Sequence, residues 1–243
     1  MRTLAILFAL VVLTLPPGTA AGDSFTVYAA ASLTEVFPKI DSSPRYSFAG
    51  SDQLALQIRQ GAPADLFAAA SPKSTQLLYR DGLVERPVTF AKNRLIVIVP
   101  ESNPAGIHSV YDLRRSGVKI VIGDQGVPIG SYTRQLLDSL GIKDAVLRNV
   151  VSQETDVKGI VAEVVLGEAD AGFVYRTDAK PVSARVQKIF LPAWAQPPIR
   201  YQIAIVKSSP RRIEARALIH KVLSTRGRML LRRAGFGLPR KMR

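Results

Sequence analysis

Four short turns hold the residue types from which a small-anion site can be made: AAASLT with Ser32, FAGSDQ with Ser51, GVPIGSYT with Gly126, Pro128 and Gly130, and SQETDVKG with Thr155 and Asp156. Each lies between an extended apolar run and a helical pattern. A helix start leaves its first N–H groups without intrahelical partners and carries the positive end of the helix dipole. Each such end is worth roughly 0.3–1 kcal/mol to an anion, up to about 2 when partly buried. Four of them around one point would hold a dianion without Lys or Arg. Ser, Thr and Asp are also the default N-caps, so any of these turns taken singly reads first as a cap. Tyr175, closing the run GFVY, is either a core aromatic or a hydroxyl donor at a strand end. Asp52, directly after Ser51, puts a carboxylate where an anion would sit.

Catalytic chemistry finds little support. The chain has no Cys and two His, His108 and His220, one in a polar connection and one in a basic helical stretch. A general base needs a partner and a cleft, and neither His has an evident one. Nucleophile-elbow, phosphate-loop, zinc-protease and dinucleotide fingerprints are all missing, and no carboxylate pair stands out by spacing. Binding without chemistry is therefore the leading function class, with no cofactor and no direct metal ligand expected. An exported hydrolase is the weakest alternative. A ligand-sensing effector domain would need a fused DNA-binding or signalling segment, for which the chain leaves no room.

These turns need a frame to hold them. Residues 1–21, MRTLAILFALVVLTLPPGTAA, have the layout of a secretory signal peptide, with an apolar run too short to span a bilayer comfortably. Export to the periplasm without a lipid anchor follows, since no Cys follows the run. From Ser24, strands SFTVYAA, RYSFAG and ADLFAAA alternate with helices SLTEVFPKI, SDQLALQIRQG and SPKSTQLLYRDGL. The run RLIVIVP reads as a strand buried on both faces. A second series follows: IHSVYDLRRSG helix-like, VKIVIGD strand, PIGSYTRQLLDSLG helix, LRNVVS strand, ETDVKGIVAEVVLGE helix and ADAGFVYRTDA strand. VQKIFLP and RYQIAIVK are two more strands before terminal helices. The alternation predicts an α/β fold with mainly parallel sheets flanked by helices. Two lobes, 22–98 with 204–243 and 99–203, are weakly favoured over one doubly wound sheet. In open α/β sheets the turns after strands gather at one edge, where ligands bind.

The 33 Lys and Arg outnumber 19 Asp and Glu, and most of the excess lies from Lys207 onward, where 12 cations meet the single acid Glu214. A basic tail can meet nucleic acid or an acidic surface. However, Ile213, Ala217, Leu218, Val222 and Leu223 mark one apolar helical face. The segment reads as an amphipathic helix packed on the body, its cations solvated. No aromatics interleave them, which argues against nucleic acid.

VYAAASLTEVF, FAGSDQLALQIRQGAPADLFAAAS, NRLIVIVP, VPIGSY, ETDVKG and GEADAGFVYRTDA resemble, in order and spacing, the periplasmic molybdate-binding proteins of ABC transporters. The resemblance covers nearly the whole chain after residue 21, and GAPADLF and VYRTDA are its most specific parts. It implies a type II periplasmic-binding-protein fold with the ligand between two lobes. It further implies Ser32 and Ser51 as hydroxyl and N–H donors, the backbone N–H groups of Ile129 and Val157, and the Tyr175 phenol. The implied ligand is molybdate or tungstate, held as a bare dianion by neutral donors and passed by a monomer to a membrane permease. Another small oxyanion or organic ligand on the same fold is the alternative. The chain departs from the family at Asp52, often Ser there, at Ile129, where Ala is usual, and in its basic C-terminus. Asp52 is compatible with an anion only if its side chain points out of the cleft.

Overall fold

The computed structural model describes residues 24–239; the leader expected over 1–21 lies outside them. The first half runs β1 (Thr26–Ala30), α1 (Phe37–Ile40), β2 (Arg45–Ala49), α2 (Ser51–Arg59), β3 (Leu66–Ala69), α3 (Pro72–Arg80) and β4 (Val88–Lys92). Next come β5 (Leu95–Pro100), β6 (Ile120–Gly123), α4 (Pro128–Ser139), α5 (Lys143–Leu147), β7 (Val150–Glu154), α6 (Val157–Leu166), β8 (Ala171–Tyr175) and β9 (Val186–Phe190). The chain then returns through β10 (Arg200–Ile205) and ends in α7 (Arg212–Leu223) and α8 (Thr225–Ala234).

Two five-stranded sheets result, in the orders β2-β1-β3-β10-β4 and β7-β6-β8-β5-β9. In each, three strands joined through helices run parallel, as the alternation predicts, and two more strands pair antiparallel at the other end. The sheets are therefore mixed rather than mainly parallel. The reason is topological: β10 returns from the other lobe and slots between β3 and β4, and β5 slots between β8 and β9. Leu95 to Val99 are buried throughout, as that central place demands.

The expected lobe cuts at 98/99 and 203/204 fall inside β5 and β10. By sheet membership the chain crosses at Asn93–Arg94 and again between 191 and 199. The Gln196 side chain ties these crossings together: its Oε1 accepts from Leu95 N at 2.9 Å and its Nε2 donates to Leu95 O at 2.8 Å. Strand β4 was not foreseen, since Pro87 and the short VTFAK run give little periodicity. The helix-like IHSVYDLRRSG forms only a 3-10 turn over Val110–Arg114, started by a Ser109 capping box.

The terminal segment also differs from expectation. Ser224 breaks it into two helices and caps the second, accepting from Gly227 N at 3.0 Å. The buried face of α7 is Ala215, Leu218 and Val222, while Ile213 is 83% exposed and Ala217 also faces solvent. The helix is thus rotated from the expected face; Leu218 and Val222 keep their predicted places, and Leu223 packs partly buried against the core. Several of its cations are paired rather than free: Arg212 and Arg216 with Glu85, and Lys221 with Asp41.

Candidate oxyanion site between the sheets

All five candidate residues, Ser32, Ser51, Ile129, Val157 and Tyr175, line one cavity between the lobes. The first lobe contributes the ends of β1, β2 and β3, and the second contributes the starts of α4 and α6 and the end of β8. The cavity measures about 20 Å3, above the roughly 10–15 Å3 that one water needs. Pockets for drug-sized ligands run to roughly 300–1,000 Å3, so only a very small ligand fits. Ala30, Ala31, Ala49 and Ala70 form much of the wall; larger side chains there would fill the space. Gly50 lets the lobes meet at its edge, because a Cβ on it would stand 2.5 Å from the Thr155 carbonyl across the cleft.

The choice between cap and ligand donor resolves residue by residue. The helix starts at Ala30, Gly50 and Val127 have no side-chain cap. Ser51 Oγ instead accepts from Ala70 N at 3.0 Å, which leaves its hydroxyl proton free to donate into the cavity. Ser32 Oγ pairs with Tyr201 Oη at 2.8 Å, also away from its own helix. Ile129 and Val157 occupy the first turns of α4 and α6, where N–H groups lack intrahelical partners. By contrast Asp156 is a true cap, accepting from Lys158 N at 2.6 Å and Gly159 N at 3.4 Å. Its Oδ1 is thereby engaged by its own helix, although the residue lines the cavity.

Tyr175 gives the clearest signal. It is 2% exposed, and its Oη is buried with no hydrogen-bond partner. Buried polar groups are nearly always paired, so this hydroxyl lacks something the cavity can supply. Burial, reinforced by Tyr201, Tyr132 and Asp178, pushes the phenol well above its ordinary value, so it stays a donor. No Lys or Arg lines the cavity, and among the described residues no group of three His, Cys, Asp or Glu is placed to hold a metal ion. What this arrangement can do is donate hydrogen bonds to a compact group made only of acceptors.

Asp52 stays out of the cavity wall, but its side chain is not turned to solvent. Its Oδ2 faces Gly126, in the second lobe's turn before α4, and its Oδ1 is buried and unpartnered. Desolvation raises its pKa and Asp124 adds to the rise, while the first N–H groups of α2 and Lys73 pull against it.

Residues 25–237 match the family of bacterial extracellular solute-binding proteins. The chain belongs to that family. It is 35% identical to the molybdate-binding protein ModA of Mycobacterium bovis, over 92% of this chain and 88% of the relative. It is 33% identical to the Haemophilus influenzae protein of the same name, over 77% of this chain and 80% of that one. The solved periplasmic molybdate-binding protein of Azotobacter vinelandii superposes with a TM-score of 0.78, covering 89% of this chain and all of that one, at 24% identity. That likeness carries the two-lobed fold.

Around the cavity this solute-binding protein has a polar layer that sequence reasoning missed. Asn93, in the first crossing, donates from Nδ2 to Thr177 Oγ1 at 3.0 Å and to Tyr201 Oη at 3.3 Å. Either hydroxyl can donate in the Ser32–Tyr201 pair, and with Tyr201 as donor the Ser32 proton is left for a ligand. Thr177 passes its own proton to Asp178 Oδ2 at 3.1 Å. Lys158 then stands 3.5 Å from Asp178 and 3.7 Å from Glu35 of the first lobe, linking the lobes beside the cavity. No local motif marks Tyr201 or Asn93; only the return of β10 into the first sheet and the first crossing beside it bring them to Ser32.

Proposed function

We propose that this chain is the substrate-binding protein of an ABC importer, capturing molybdate and tungstate as bare tetrahedral dianions. Ser32, Ser51 and Tyr175 donate from hydroxyls, Ile129 and Val157 from backbone N–H groups, and both lobes hold the anion at once. The observation that carries the reading is the buried, unpartnered Tyr175 hydroxyl in a small cavity without cations. The names of the relatives from Mycobacterium bovis and Haemophilus influenzae support the choice of ligand.

The donor chemistry favours these ions. Molybdate and tungstate carry only acceptor oxygens near neutral pH, so a shell of donors satisfies them. Phosphate keeps a proton that wants an acceptor, and here the Ser51 oxygen and Asp156 Oδ1 already accept bonds. Sulfate is smaller, so it would leave buried donors unpaired at roughly 1–3 kcal/mol each. Contacts made to both lobes favour the closed state, the form a permease would recognise. The protein works in the periplasm as a monomer, with no cofactor and no catalytic step.

Calorimetric titration with molybdate, tungstate, sulfate and phosphate tests the proposal. Saturable heat with the first two and much weaker binding of the others is expected. Silence with molybdate and tungstate at micromolar protein would sink it.

A further inference from the structure

A second cavity, of about 510 Å3, opens where the chain crosses between the lobes. Lys92, Arg94, Arg176 and Arg200 line it, with Gly235 and Gly237 from the C-terminal segment, and no acidic residue contributes. The four cations come as two neighbouring pairs. Arg200 is the register partner of Lys92 across the β10–β4 ladder. Arg176 N donates to Arg94 O at 2.9 Å, so these two lie side by side at the crossing. Among the described residues none of the four forms an ion pair with a carboxylate. Only Arg176 is tethered, by Nη2 to Gly235 O at 2.8 Å.

Like charges directly opposite on paired strands are destabilising. Elsewhere Arg212, Arg216 and Lys221 of α7 are paired with acids. Here the charges instead converge on open space. We propose that this cavity binds a multiply charged phosphate group. Arg guanidinium forks match phosphate oxygens bidentately, and Lys adds a point charge. The occupant relieves both like-charge pairs at once. A phosphate group arrives either on a small soluble molecule or on a lipid headgroup, and the chemistry recognised is the same. The site is separate from the interlobe cavity, sharing no lining residue with it.

Trp194 offers a built-in probe. It is the single Trp of the chain, 71% exposed, two residues before Gln196 in the cavity wall. The experiment titrates the whole protein with pyrophosphate, with and without molybdate and at constant ionic strength, following Trp194 fluorescence and heat. Saturable binding in both conditions is expected. The double variant Arg94→Gln, Arg200→Gln should bind at least tenfold more weakly. A control, Arg226→Gln with Arg232→Gln on α8, removes the same charge elsewhere and should shift affinity less than twofold. Parallel titration with phosphatidylglycerol vesicles separates the sources: loss of the vesicle response alone in the double variant assigns a headgroup, and loss of the pyrophosphate response assigns a soluble phosphate. Absence of saturable binding to either probe overturns the proposal. Equal weakening in both double variants also overturns it, since the attraction would then be net charge alone.

Discussion

Ser32 and Tyr201 lie 169 positions apart in the chain, and their hydroxyl oxygens are 2.8 Å apart at the cavity wall. One belongs to the turn after the first strand, the other to the strand that returns from the second lobe. The pairing holds the Ser32 oxygen in place and joins the proposed ligand site to the crossing through Asn93. Tyr201→Phe removes the hydroxyl that holds Ser32 Oγ. A net hydrogen bond is worth about 1 kcal/mol, so molybdate affinity should fall about fivefold by calorimetry, with Ser32→Ala falling further.

Ser51→Ala removes a direct donor to the anion. Hydrogen bonds to charged groups are worth roughly 1.5–3 kcal/mol, so affinity should drop tenfold or more. Asp52→Ser should change it only modestly, because Asp52 is absent from the cavity wall. A large loss at Asp52 with little at Ser51 would reverse the roles assigned here.

Tyr175→Phe should separate binding from stability. The variant loses a ligand donor, and tenfold or more in affinity is expected on the same scale. Yet it also removes a buried hydroxyl with no partner in the ligand-free protein, and leaving such a group unsatisfied costs about 1–3 kcal/mol. Thermal unfolding without ligand should therefore show an unchanged or raised midpoint.

Gly50→Val tests closure. A Cβ there would press on the Thr155 carbonyl from the other lobe, so each lobe should fold while the lobes cannot meet. Molybdate binding should be lost, circular dichroism should stay the same, and small-angle scattering should show no compaction on adding molybdate.

Asp178 sets a pH dependence. Burial raises its carboxyl from 3.8 to about 6, with Lys158 and Thr177 opposing the shift. Since the folded state holds this proton more tightly than the unfolded state, stability falls as pH rises through that window. Its contribution to unfolding midpoints should decline between pH 3.8 and about 6 and then level off. In Asp178→Asn that decline should vanish.

The sequence revealed the strand–helix order and the four turns because each is local: an apolar run, a small or polar turn, then a helical period. It could not separate caps from ligand donors. Asp156 and Ser51 have similar local signatures, yet one satisfies its own helix while the other is held by Ala70 N from the turn after β3. That difference is a tertiary fact. Tyr201 and Asn93 were invisible for the same reason, since their roles depend on where β10 and the first crossing pass in space. The expected apolar face of α7 failed at Ile213 because helical spacing fixes which residues share a face, not which of two adjacent faces meets the body.

The most direct measurement is a crystal structure grown with tungstate, with the metal located by its anomalous scattering. The account predicts one strong peak in the interlobe cavity. Its oxygens should lie at about 2.7–3.2 Å, ordinary hydrogen-bond distances, from the hydroxyls of Ser32, Ser51 and Tyr175 and the N–H groups of Ile129 and Val157. A peak coordinated instead by Lys or Arg side chains, or an empty cavity in protein saturated with tungstate, would contradict it.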